Sequence, residues 1–461
     1  MAYQPKKIKK VLIANRGEIA VRIIQAAHEL NMLAVAICSD ADIGNLASQL
    51  ADEVVHIGEN LAHKSYLDMD KVIEAAKQVK ADAIHPGYGF LSENAAFAKK
   101  VADAGMIFVG PSGDIIQTMG DKAAAILKAK EAKVPTIPGS PVLTNVENAL
   151  EEAKKIGYPV VIKAIAGGGG KGIRVVKNEQ ELQEQYVIAS SEAQAAFGNG
   201  GVYVEAYLPK ARHIEVQVLG DGNNVIHLYD RECSLQRRRQ KVVEEAPSHA
   251  LDMQMREKLC KSALGLAKLV NYKGAGTLEF LYDEERGGFY FLEMNTRIQV
   301  EHAITEMITG VDLVREMLRI ADGEPLRFKQ EDIKIKGHAI EIRINAEDPN
   351  NNFFPSPGKI SEVFYPTGAG IRVDSMLFNG RVIPPFYDSL VAKLIIYDEN
   401  RAMAISRMNR ALRQVKIEGI KTTLPLFKDL FKDSDVESGD YHINFLESWM
   451  AKQKTIRSEH V

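Results

Sequence analysis

The chain has 461 residues, too many for one ordinary core, and this length predicts roughly two to four domains. Hydrophobic residues make up 46% and charged residues 26%, as in average globular proteins, which argues against disordered, fibrous and membrane classes. Because the net charge is only −3, neither nucleic acid nor a membrane is an expected partner.

The first hundred or so residues alternate short β-rich runs with helical patterns. Strands are predicted at 11–15, 34–39 and 53–58 and within AIHPG and MIFVG, and helices at 18–30, near 68–80 and near 93–104. In the first helix an apolar stripe faces the sheet, while Glu18 and Arg22 face elsewhere. The alternation is typical of a parallel sheet with helices on its faces.

The pattern changes after residue 120. A helix around 121–133 ends at VPTIPGSP, whose prolines and glycine mark a domain edge. Residues 137 to about 207 form a compact α/β unit with a helix over 179–196 and hinges at its ends. Beyond 208 strands dominate, interrupted by a helix at 311–322 and closed by one at 400–414.

The three cysteines, Cys38, Cys233 and Cys260, are odd in number, far apart and in no metal-ligand spacing. This usage favours a reducing compartment over a secreted disulfide framework, so we expect a cytoplasmic protein. The apolar run near the start ends at Arg16, too early for a signal-peptide core. No run approaches the ~18 apolar residues of a membrane-spanning helix.

A glycine run, GGGGKG at 167–172, contains the G-x-G-x-x-G pattern of a dinucleotide site. That fingerprint needs a helix after the loop, whereas IRVVK at 173–177 is β-branched, so a strand, a glycine loop and a second strand are predicted. We interpret the loop as a lid whose free backbone amides wrap a polyphosphate, with Lys163 beside it. A merely mobile loop is the alternative.

Two glutamates mark a predicted hairpin, Glu279 in GTLEFLY and Glu293 in FYFLEMN. Pairing about the intervening DEERGG turn sets them opposite each other, where like charges destabilise a sheet. A bound cation resolves this repulsion, and an all-oxygen ligand set favours Mg²⁺ or Mn²⁺. Two solvent-facing glutamates are the alternative.

The following residues read EMNTRIQVE. In an extended stretch Glu293, Asn295, Arg297, Gln299 and Glu301 all point one way. Such a row can hold a metal at one end and a small anion beside a base at the other. A solvated strand face gives the same alternation, and the pattern alone does not separate the two.

The remaining polar and reactive residues are interpreted as anion-binding or structural. The basic run at 236–241 predicts a local anion site rather than a nucleic-acid patch, because it is short and acidic residues follow it. Cys233 is interpreted as a packed thiol and His85 as structural. NRGE at 15–18 sits where an anion can bind but lacks the glycines of a dinucleotide site.

Together these residues resemble a known family, biotin carboxylase, an ATP-grasp enzyme. The resemblance runs from about residue 8 to 446 and rests on several motifs in the family's order. They are NRGEIAVRI, HPGYGFLSEN, MGDK, AGGGGKG, QRRRQKVVEEAP, EMNTRIQVEH, RINAEDP, FPSPGKI and YDSLVAKLI.

The resemblance implies a multidomain α/β and α+β fold. A Rossmann-like N-terminal domain is expected at 1–120, an ATP-grasp domain at 121–325 with its Gly-rich lid at about 137–207, and a strand-rich C-terminal domain at 326–461. No biotin-attachment motif and no carboxyltransferase region appear in the sequence. The chain therefore resembles the stand-alone biotin carboxylase of an acetyl-CoA carboxylase that is built from several subunits.

The implied reaction carboxylates biotin carried on a biotin carboxyl carrier protein, using ATP, bicarbonate and Mg²⁺ or Mn²⁺. Bicarbonate attacks the γ-phosphate of ATP to give carboxyphosphate, which collapses to CO₂ and phosphate, and deprotonated biotin takes up the CO₂. Carboxyltransferase subunits and a homodimer are the other implied partners. Alternatives are the biotin carboxylase of another acyl-CoA carboxylase, a different ATP-grasp ligase and a noncatalytic paralogue.

The resemblance also implies roles for residues. Nucleotide contacts are implied for Lys122, Lys163, Gly168, Gly169, Gly170, Glu205, Leu208, His213, Gln236, Arg239, Glu279 and Glu293. Metal ligation is implied for Glu279, Glu293 and Asn295. Bicarbonate binding is implied for Lys241, Arg297, Gln299 and the Val300 backbone, with Glu301 as the base, and Arg343 is implied to stabilise the enolate of biotin.

Two positions depart from the family pattern. Arg239 stands where the family often has His, at a position associated with the ribose hydroxyls, and Arg donates hydrogen bonds but cannot accept them. Ala206 replaces a frequent Lys beside the adenine, where backbone contacts are expected. We expect these changes to affect ATP binding rather than the bicarbonate or base residues.

Overall fold

The computed structural model describes residues 4, 6–164, 173–197 and 200–459. They form two compact units. The large unit comprises Met1–Val134, Arg212–Leu281 and Glu293–Val461, and the small unit comprises Pro135–Ala211 and Tyr282–Leu292. Within the described part of the chain, no helix combines the length and the apolar character that a membrane crossing requires.

The large unit begins with a five-stranded sheet in the order β3-β2-β1-β4-β5, in which every neighbouring pair is parallel. Successive β1 side chains enter different cores, Val11 and Ile13 on one face and Leu12 on the other. The predicted α/β alternation is confirmed. Its elements are β1 Lys10–Ile13, α1 Gly17–Glu29, β2 Leu33–Ser39, α2 Leu46–Leu50, β3 Glu53–Gly58, α3 Met69–Gln78, β4 Ala83–His85, α4 Ala95–Asp103, β5 Ile107–Phe108, α5 Gly113–Gly120 and α6 Lys122–Glu131.

The side of α1 that carries Glu18 and Arg22 is covered as well. These two residues, expected to face elsewhere than the sheet, are both buried. Arg22 donates to Asp312 Oδ1 at 2.6 Å, and Glu18 accepts a hydrogen bond from the Tyr88 hydroxyl. Ion pairing allows the polar side of this helix to be covered as well.

The small unit is a three-stranded sheet, β7-β6-β8, packed on two helices. Both β7 and β8 pair antiparallel with β6, so the strand on each side of the glycine run is confirmed. The loop itself, with Gly168, Gly169 and Gly170, lies outside the described residues. The elements are α7 Val146–Ile156, β6 Val160–Ala164, β7 Ile173–Val176, α8 Glu179–Phe197 and β8 Val202–Ala206.

An eight-stranded sheet forms the rest of the framework, in the order β13-β12-β9-β10-β11-β14-β21-β19. Because β11 pairs directly with β14, this sheet continues across residue 325, the expected end of the ATP-grasp domain. The elements of its first half are β9 Arg212–Asp221, β10 Val225–Arg237, β11 Gln240–Ala246, α9 Met253–Leu269, β12 Lys273–Asp283, β13 Gly288–Asn295, α10 His302–Thr309 and α11 Leu313–Ala321.

The last part of the chain adds three strands to this sheet and covers them with helices. Its core includes Ile342, Leu394, Met408 and Phe427. Three helices follow the one expected to close the chain, so that prediction is incomplete. The elements are β14 His338–Asn345, β15 Glu347–Asp348, β16 Phe354–Pro355, β17 Gly358–Lys359, β18 Glu362–Phe364, β19 Ile371–Ser375, β20 Val382–Ile383, β21 Leu390–Asp398, α12 Arg401–Gln414, β22 Lys416–Glu418, α13 Leu424–Leu430, α14 Ser434–Ser438 and α15 Phe445–Glu459.

Candidate active site

Lys241 stands at the centre of the charged cluster in the large unit. The β10–β11 hairpin turns at Arg238 and Arg239, both with positive φ, and sets Gln236 opposite Lys241. The lysine ammonium then reaches acceptors from three other segments. It donates to Glu215 Oε2 at 2.6 Å, Glu279 Oε1 at 2.8 Å, Glu301 Oε1 at 2.8 Å and Gln299 Oε1 at 3.2 Å.

Glu215 is held from its other side by Arg231, a fully buried guanidinium. Arg231 Nε donates to Glu215 Oε1 at 2.5 Å, and its other nitrogens bond Gln217, Thr277 and Thr305. This arrangement satisfies a buried cation and fixes the carboxylate that receives Lys241. Sequence reasoning missed both residues. For Glu215, the polar residues that alternate within the apolar strand HIEVQVLG were the available signal.

Glu301 is buried between two cations. Lys241 contacts one of its oxygens, and Arg343 Nη2 donates to Oε2 at 3.0 Å. Burial raises the pKa of Glu301, but Lys241 and Arg343 outweigh it and hold that pKa below its ordinary value. The side chain is therefore an ionised carboxylate at neutral pH.

Arg343 is fixed by two carboxylates. Its Nε donates to Glu244 Oε1 at 2.6 Å, while Nη2 reaches Glu301. Burial lowers the pKa of Arg343, but Glu244 and Glu301 together raise it above its ordinary value. A permanent positive charge therefore lies beside Glu301 in a defined orientation.

The extended stretch expected through Glu301 is wrong beyond Asn295. The strand β13 ends there, and a turn leads into α10 at His302. Arg297 consequently does not lie against Glu301. Its Nε donates to Glu93 Oε2 at 2.8 Å and its Nη2 to Asn295 Oδ1 at 3.0 Å.

Glu93 is a further residue that the sequence pattern did not mark. Besides Arg297, it accepts from the backbone N–H of Thr296 at 3.1 Å. It thereby anchors the turn that follows β13. Gln299 still joins the cluster, since its Nε2 donates to Glu279 Oε1 at 3.1 Å.

The predicted metal ligands lie at one end of this cluster. β12 and β13 are neighbours in the sheet, as expected, and Asn295 Nδ2 donates to Glu279 Oε1 at 3.0 Å. Glu279 is buried but Glu293 is exposed, so only one matches the expected burial. Partial desolvation and the Glu279 carboxylate raise the pKa of Glu293.

These residues fit a hard divalent cation. Two carboxylates repel each other, and Glu293 has no cation paired with it among the described residues. All-oxygen donors suit Mg²⁺ or Mn²⁺. His213 Nε2 also lies 3.1 Å from Glu279 Oε2, and His213, Glu215 and Glu279 bring ligand atoms within 4.8 Å of one another.

Cys233 packs against the charged cluster, close to Glu215 and Glu301. It is fully buried, and burial raises the pKa of the thiol well above its ordinary value. The prediction of a packed thiol is confirmed. Gln236 Nε2 donates to the Cys233 carbonyl at 2.8 Å and lies 3.1 Å from His213 Nδ1, which joins these two predicted nucleotide residues.

The other predicted nucleotide residues are distributed over both units. In the small unit, Lys163 forms an ion pair with Glu205, and Leu208 is buried. In the large unit, Lys122 is exposed at the start of α6 and Arg239 is exposed at its turn.

Two further sequence features have structural partners. Arg16 of the NRGE motif binds the buried Asp42 through Nε at 2.5 Å and Nη2 at 2.9 Å, so its charge is already paired. His85 is fully buried, which lowers its pKa to about 3, and its Nδ1 accepts from the Gly87 N–H at 3.0 Å. Both arrangements stabilise the ends of neighbouring strands.

Comparison with known proteins identifies the family. Three family models match the chain: the biotin carboxylase N-terminal domain at residues 7–116, the ATP-binding domain of the carbamoyl-phosphate synthase L chain at 121–329 and the biotin carboxylase C-terminal domain at 341–448.

Individual relatives match over almost their full length. Biotin carboxylase 1 of Bacillus subtilis is 52% identical over 96% of this chain and 99% of its own. The 2-oxoglutarate carboxylase small subunit of Hydrogenobacter thermophilus is 49% identical over 95% of this chain and 93% of its own.

A solved structure gives the same result. It is the dimer of the biotin carboxylase domain of Hydrogenobacter thermophilus 2-oxoglutarate carboxylase, in complex with MgADP, ADP and bicarbonate. It is 49% identical, covers 97% of this chain and 98% of its own, and superposes with a TM-score of 0.85. The chain belongs to the biotin carboxylase family of ATP-dependent carboxylase ligases.

Proposed function

We propose that this chain carboxylates biotin on a separate biotin carboxyl carrier protein, as the first half-reaction of an acetyl-CoA carboxylase. The observation that carries the proposal is the contact of the buried Glu301 with Lys241 and Arg343, which unites an anion-binding cation, a base and a second cation. Neither a nucleotide-binding scaffold nor an amide-forming ligase requires that set.

Bicarbonate binds beside Lys241 in this proposal. Lys241 and Arg297 supply positive charge, while Gln299 and the Val300 backbone orient the anion. The buried Lys393 donates to the Val300 carbonyl at 2.6 Å, which fixes that peptide. A bound anion competes with Glu93 for Arg297 and with three carboxylates for Lys241.

Glu301 acts as the base that takes the proton of bicarbonate. Its pKa is held low by Lys241 and Arg343, so it is ionised but weakly basic without substrate. A bound anion that shares Lys241 with Glu301 raises the pKa of Glu301, because less positive charge remains for the carboxylate. Substrate binding therefore produces the base strength that the step needs.

Phosphoryl transfer follows from the bound bicarbonate. Its oxygen attacks the γ-phosphorus of ATP, ADP leaves, and carboxyphosphate forms; this then breaks down to CO₂ and phosphate. Glu279, Glu293 and Asn295 would hold Mg²⁺ or Mn²⁺, which supplies positive charge to the phosphates. Lys122, Lys163, His213 and Gln236 contact the nucleotide, and the backbone near Glu205 and Leu208 receives the adenine.

Arg343 serves the biotin step. The phosphate released from carboxyphosphate takes the ureido proton, which places negative charge on the biotin oxygen, and the nitrogen then bonds to CO₂. A guanidinium already oriented by Glu244 stabilises that charge without reorganising during the reaction.

The acceptor of the carboxyl group and the assembly are the finer parts of the proposal. Relatives include components of a pyruvate carboxylase and of a 2-oxoglutarate carboxylase besides biotin carboxylases. We assign acetyl-CoA as the final acceptor, carboxyltransferase subunits as partners, a homodimer as the assembly and the cytoplasm as the compartment. The dimer of the Hydrogenobacter relative and the three buried free cysteines support the last two points.

The first test measures ADP release by the purified chain with ATP, Mg²⁺ and bicarbonate, with and without a high concentration of free biotin. We expect clear stimulation by biotin. ATP binding without any stimulation would contradict the reaction class.

A second test addresses the acceptor. A host extract depleted of this chain should lose labelled-bicarbonate transfer to acetyl-CoA and regain it when the purified chain is added. Restored transfer to pyruvate or 2-oxoglutarate instead would overturn the assignment of acetyl-CoA.

A further inference from the structure

A second pair of buried carboxylates lies beside Arg343. Glu244 on β11 and Glu341 on β14 are direct antiparallel partners, and both are fully buried. Side chains two residues apart along a strand share a face, so Glu341, Arg343 and Glu244 lie on one face of the sheet.

These two carboxyl groups have fewer hydrogen-bond donors around them than their oxygens need. Glu244 Oε1 accepts from Arg343, but Glu244 Oε2 and both carboxylate oxygens of Glu341 have no donor among the described residues. Ionised carboxylates only accept hydrogen bonds, whereas a protonated carboxyl group donates one. A single proton between the two opposite glutamates supplies what is missing.

The neighbouring cations are already engaged. Lys393 lies opposite Arg343 on β21 and donates to the Val300 carbonyl, and its ammonium is 3.6 Å from Glu18 and 3.5 Å from Asp374. Arg343 binds Glu244 and Glu301. In the described part of the chain, no cation forms an ion pair with Glu341.

The electrostatics agree with this geometry. The charged groups that act on Glu341 are Lys393, Glu244, Arg343 and Glu301. Burial raises the pKa of Glu341 well above its ordinary value, and burial also raises the pKa of Glu244 to about 7 although Arg343 opposes it. Because Glu244 contacts the guanidinium of Arg343 and Glu341 does not, the proton is more stable on Glu341.

We propose that Glu341 is a positioning residue that keeps a proton at neutral pH and donates it to Glu244 Oε2, which holds the Glu244 carboxylate on Arg343 Nε. Without this donor, Glu244 takes up a proton itself and its contact with Arg343 weakens. The orientation of Arg343 then changes. The inference about catalysis rests on the proposed function, in which Arg343 acts on biotin.

Infrared spectroscopy tests the proton directly and does not depend on the function. The wild-type protein at neutral pH should show the C=O stretching band of a protonated carboxylic acid, and Glu341→Gln should lose it. Glu257→Gln, at an exposed position on α9, is the matched control and should leave the band unchanged. If the carboxylic acid band is the same in Glu341→Gln as in wild type, the proposal is wrong.

Kinetics tests the positioning role. Glu341→Gln keeps a neutral donor, so its KM for free biotin should stay within about twofold of wild type, whereas Glu341→Leu should raise it about tenfold. Equilibrium ATP binding should be unaffected in both. Glu244→Gln removes the anion that contacts Arg343 and should also raise the KM for biotin. This variant replaces Glu341→Leu in the test if the leucine variant does not fold.

The outcomes separate the possible failures. Equal losses in the glutamine and leucine variants indicate a merely structural role and overturn the proposal, as does wild-type KM in the leucine variant. Absence of biotin stimulation in the wild-type protein contradicts the proposed function instead, while the infrared result still decides where the proton lies.

Discussion

Two lysines, each on a strand, show how differently the two units use positive charge. Lys241 in the large unit is shared by Glu215, Glu279 and Glu301, whose side chains are all buried. Lys163 in the small unit pairs with one half-buried carboxylate, Glu205. The first lysine is part of a network, whereas the second pairs with one carboxylate among the residues that the structure describes.

The difference in surroundings changes what each ion pair contributes. Two unit charges 4 Å apart interact by about 1 kcal/mol in bulk water and by about 4 kcal/mol at an effective dielectric constant of 20. Three buried carboxylates without their cation therefore cost far more than one half-buried carboxylate. In the proposed function, Lys241 therefore supports both structure and bicarbonate binding, whereas Lys163 exchanges its partner for a phosphate at low cost.

The largest effect that tests this comparison is expected for Lys241→Met. The change leaves three buried carboxylates without their shared ammonium, which should destabilise the large unit by about 3–5 kcal/mol and abolish carboxylation. Trp449 is the single tryptophan and is buried in the large unit, so its fluorescence in urea reports the unfolding of that unit. A wild-type urea midpoint would show that the network does not depend on Lys241.

Glu301→Gln should separate chemistry from stability within the same network. The amide keeps the shape of the side chain but cannot accept a proton, so biotin carboxylation should fall about 10²–10⁴-fold while ATP binding is retained. ADP release and equilibrium nucleotide binding measure the two effects. Glu257→Gln on the surface of α9 is the control, and normal turnover in Glu301→Gln would remove the assignment of the base.

Lys163→Met probes the other side of the comparison. Loss of one charge-assisted contact should weaken ATP binding by about 1.5–3 kcal/mol, seen as a higher KM for ATP with kcat largely kept. The ion pair with Glu205 is half-buried and should contribute only about 0–1 kcal/mol to stability. A fall in kcat with an unchanged KM would place Lys163 in the chemical step instead.

Unfolding at low pH tests how much the buried network around Lys241 contributes to stability. The folded-state pKa of Glu301 is depressed, so the carboxylate stabilises the fold above its unfolded pKa of about 4.3, and this stability is lost as pH falls below that value. Glu301→Gln should therefore show a shallower loss, by up to about 1.4 kcal/mol per pH unit. Urea midpoints from Trp449 fluorescence at descending pH measure it, and parallel curves would contradict the depressed pKa.

Much of this arrangement follows from local sequence patterns. The alternating strands and helices before residue 120, the strands around the glycine run and the Glu279–Glu293 hairpin all depend on periodicity and turn residues within about 15 positions. Those patterns predicted the elements and placed Glu279 and Glu293 on neighbouring strands.

Long-range pairing was not predictable in the same way. Arg343 meets Glu301 only because β14 joins the sheet beside β11, and Glu93 meets Arg297 across about 200 residues. The row expected from Glu293 to Glu301 was wrong for a related reason. A turn after Asn295 redirects Arg297, and its partner Glu93 lies on a different part of the chain.

The smallest effect we expect is at Arg239, where the sequence departs from the family pattern. Arg239 is exposed at the turn between β10 and β11 with a φ of 65°, and the neighbouring Arg238 also has a positive φ. Arg239→His restores a side chain that can accept as well as donate a hydrogen bond, so ATP binding should tighten by about 0.5–1.5 kcal/mol with kcat unchanged. Arg238→His is the matched control, since it makes the same change one position earlier in the turn. An equal gain in both variants would trace the effect to charge at the turn, whereas a gain in Arg239→His alone would indicate a direct hydrogen bond to the nucleotide.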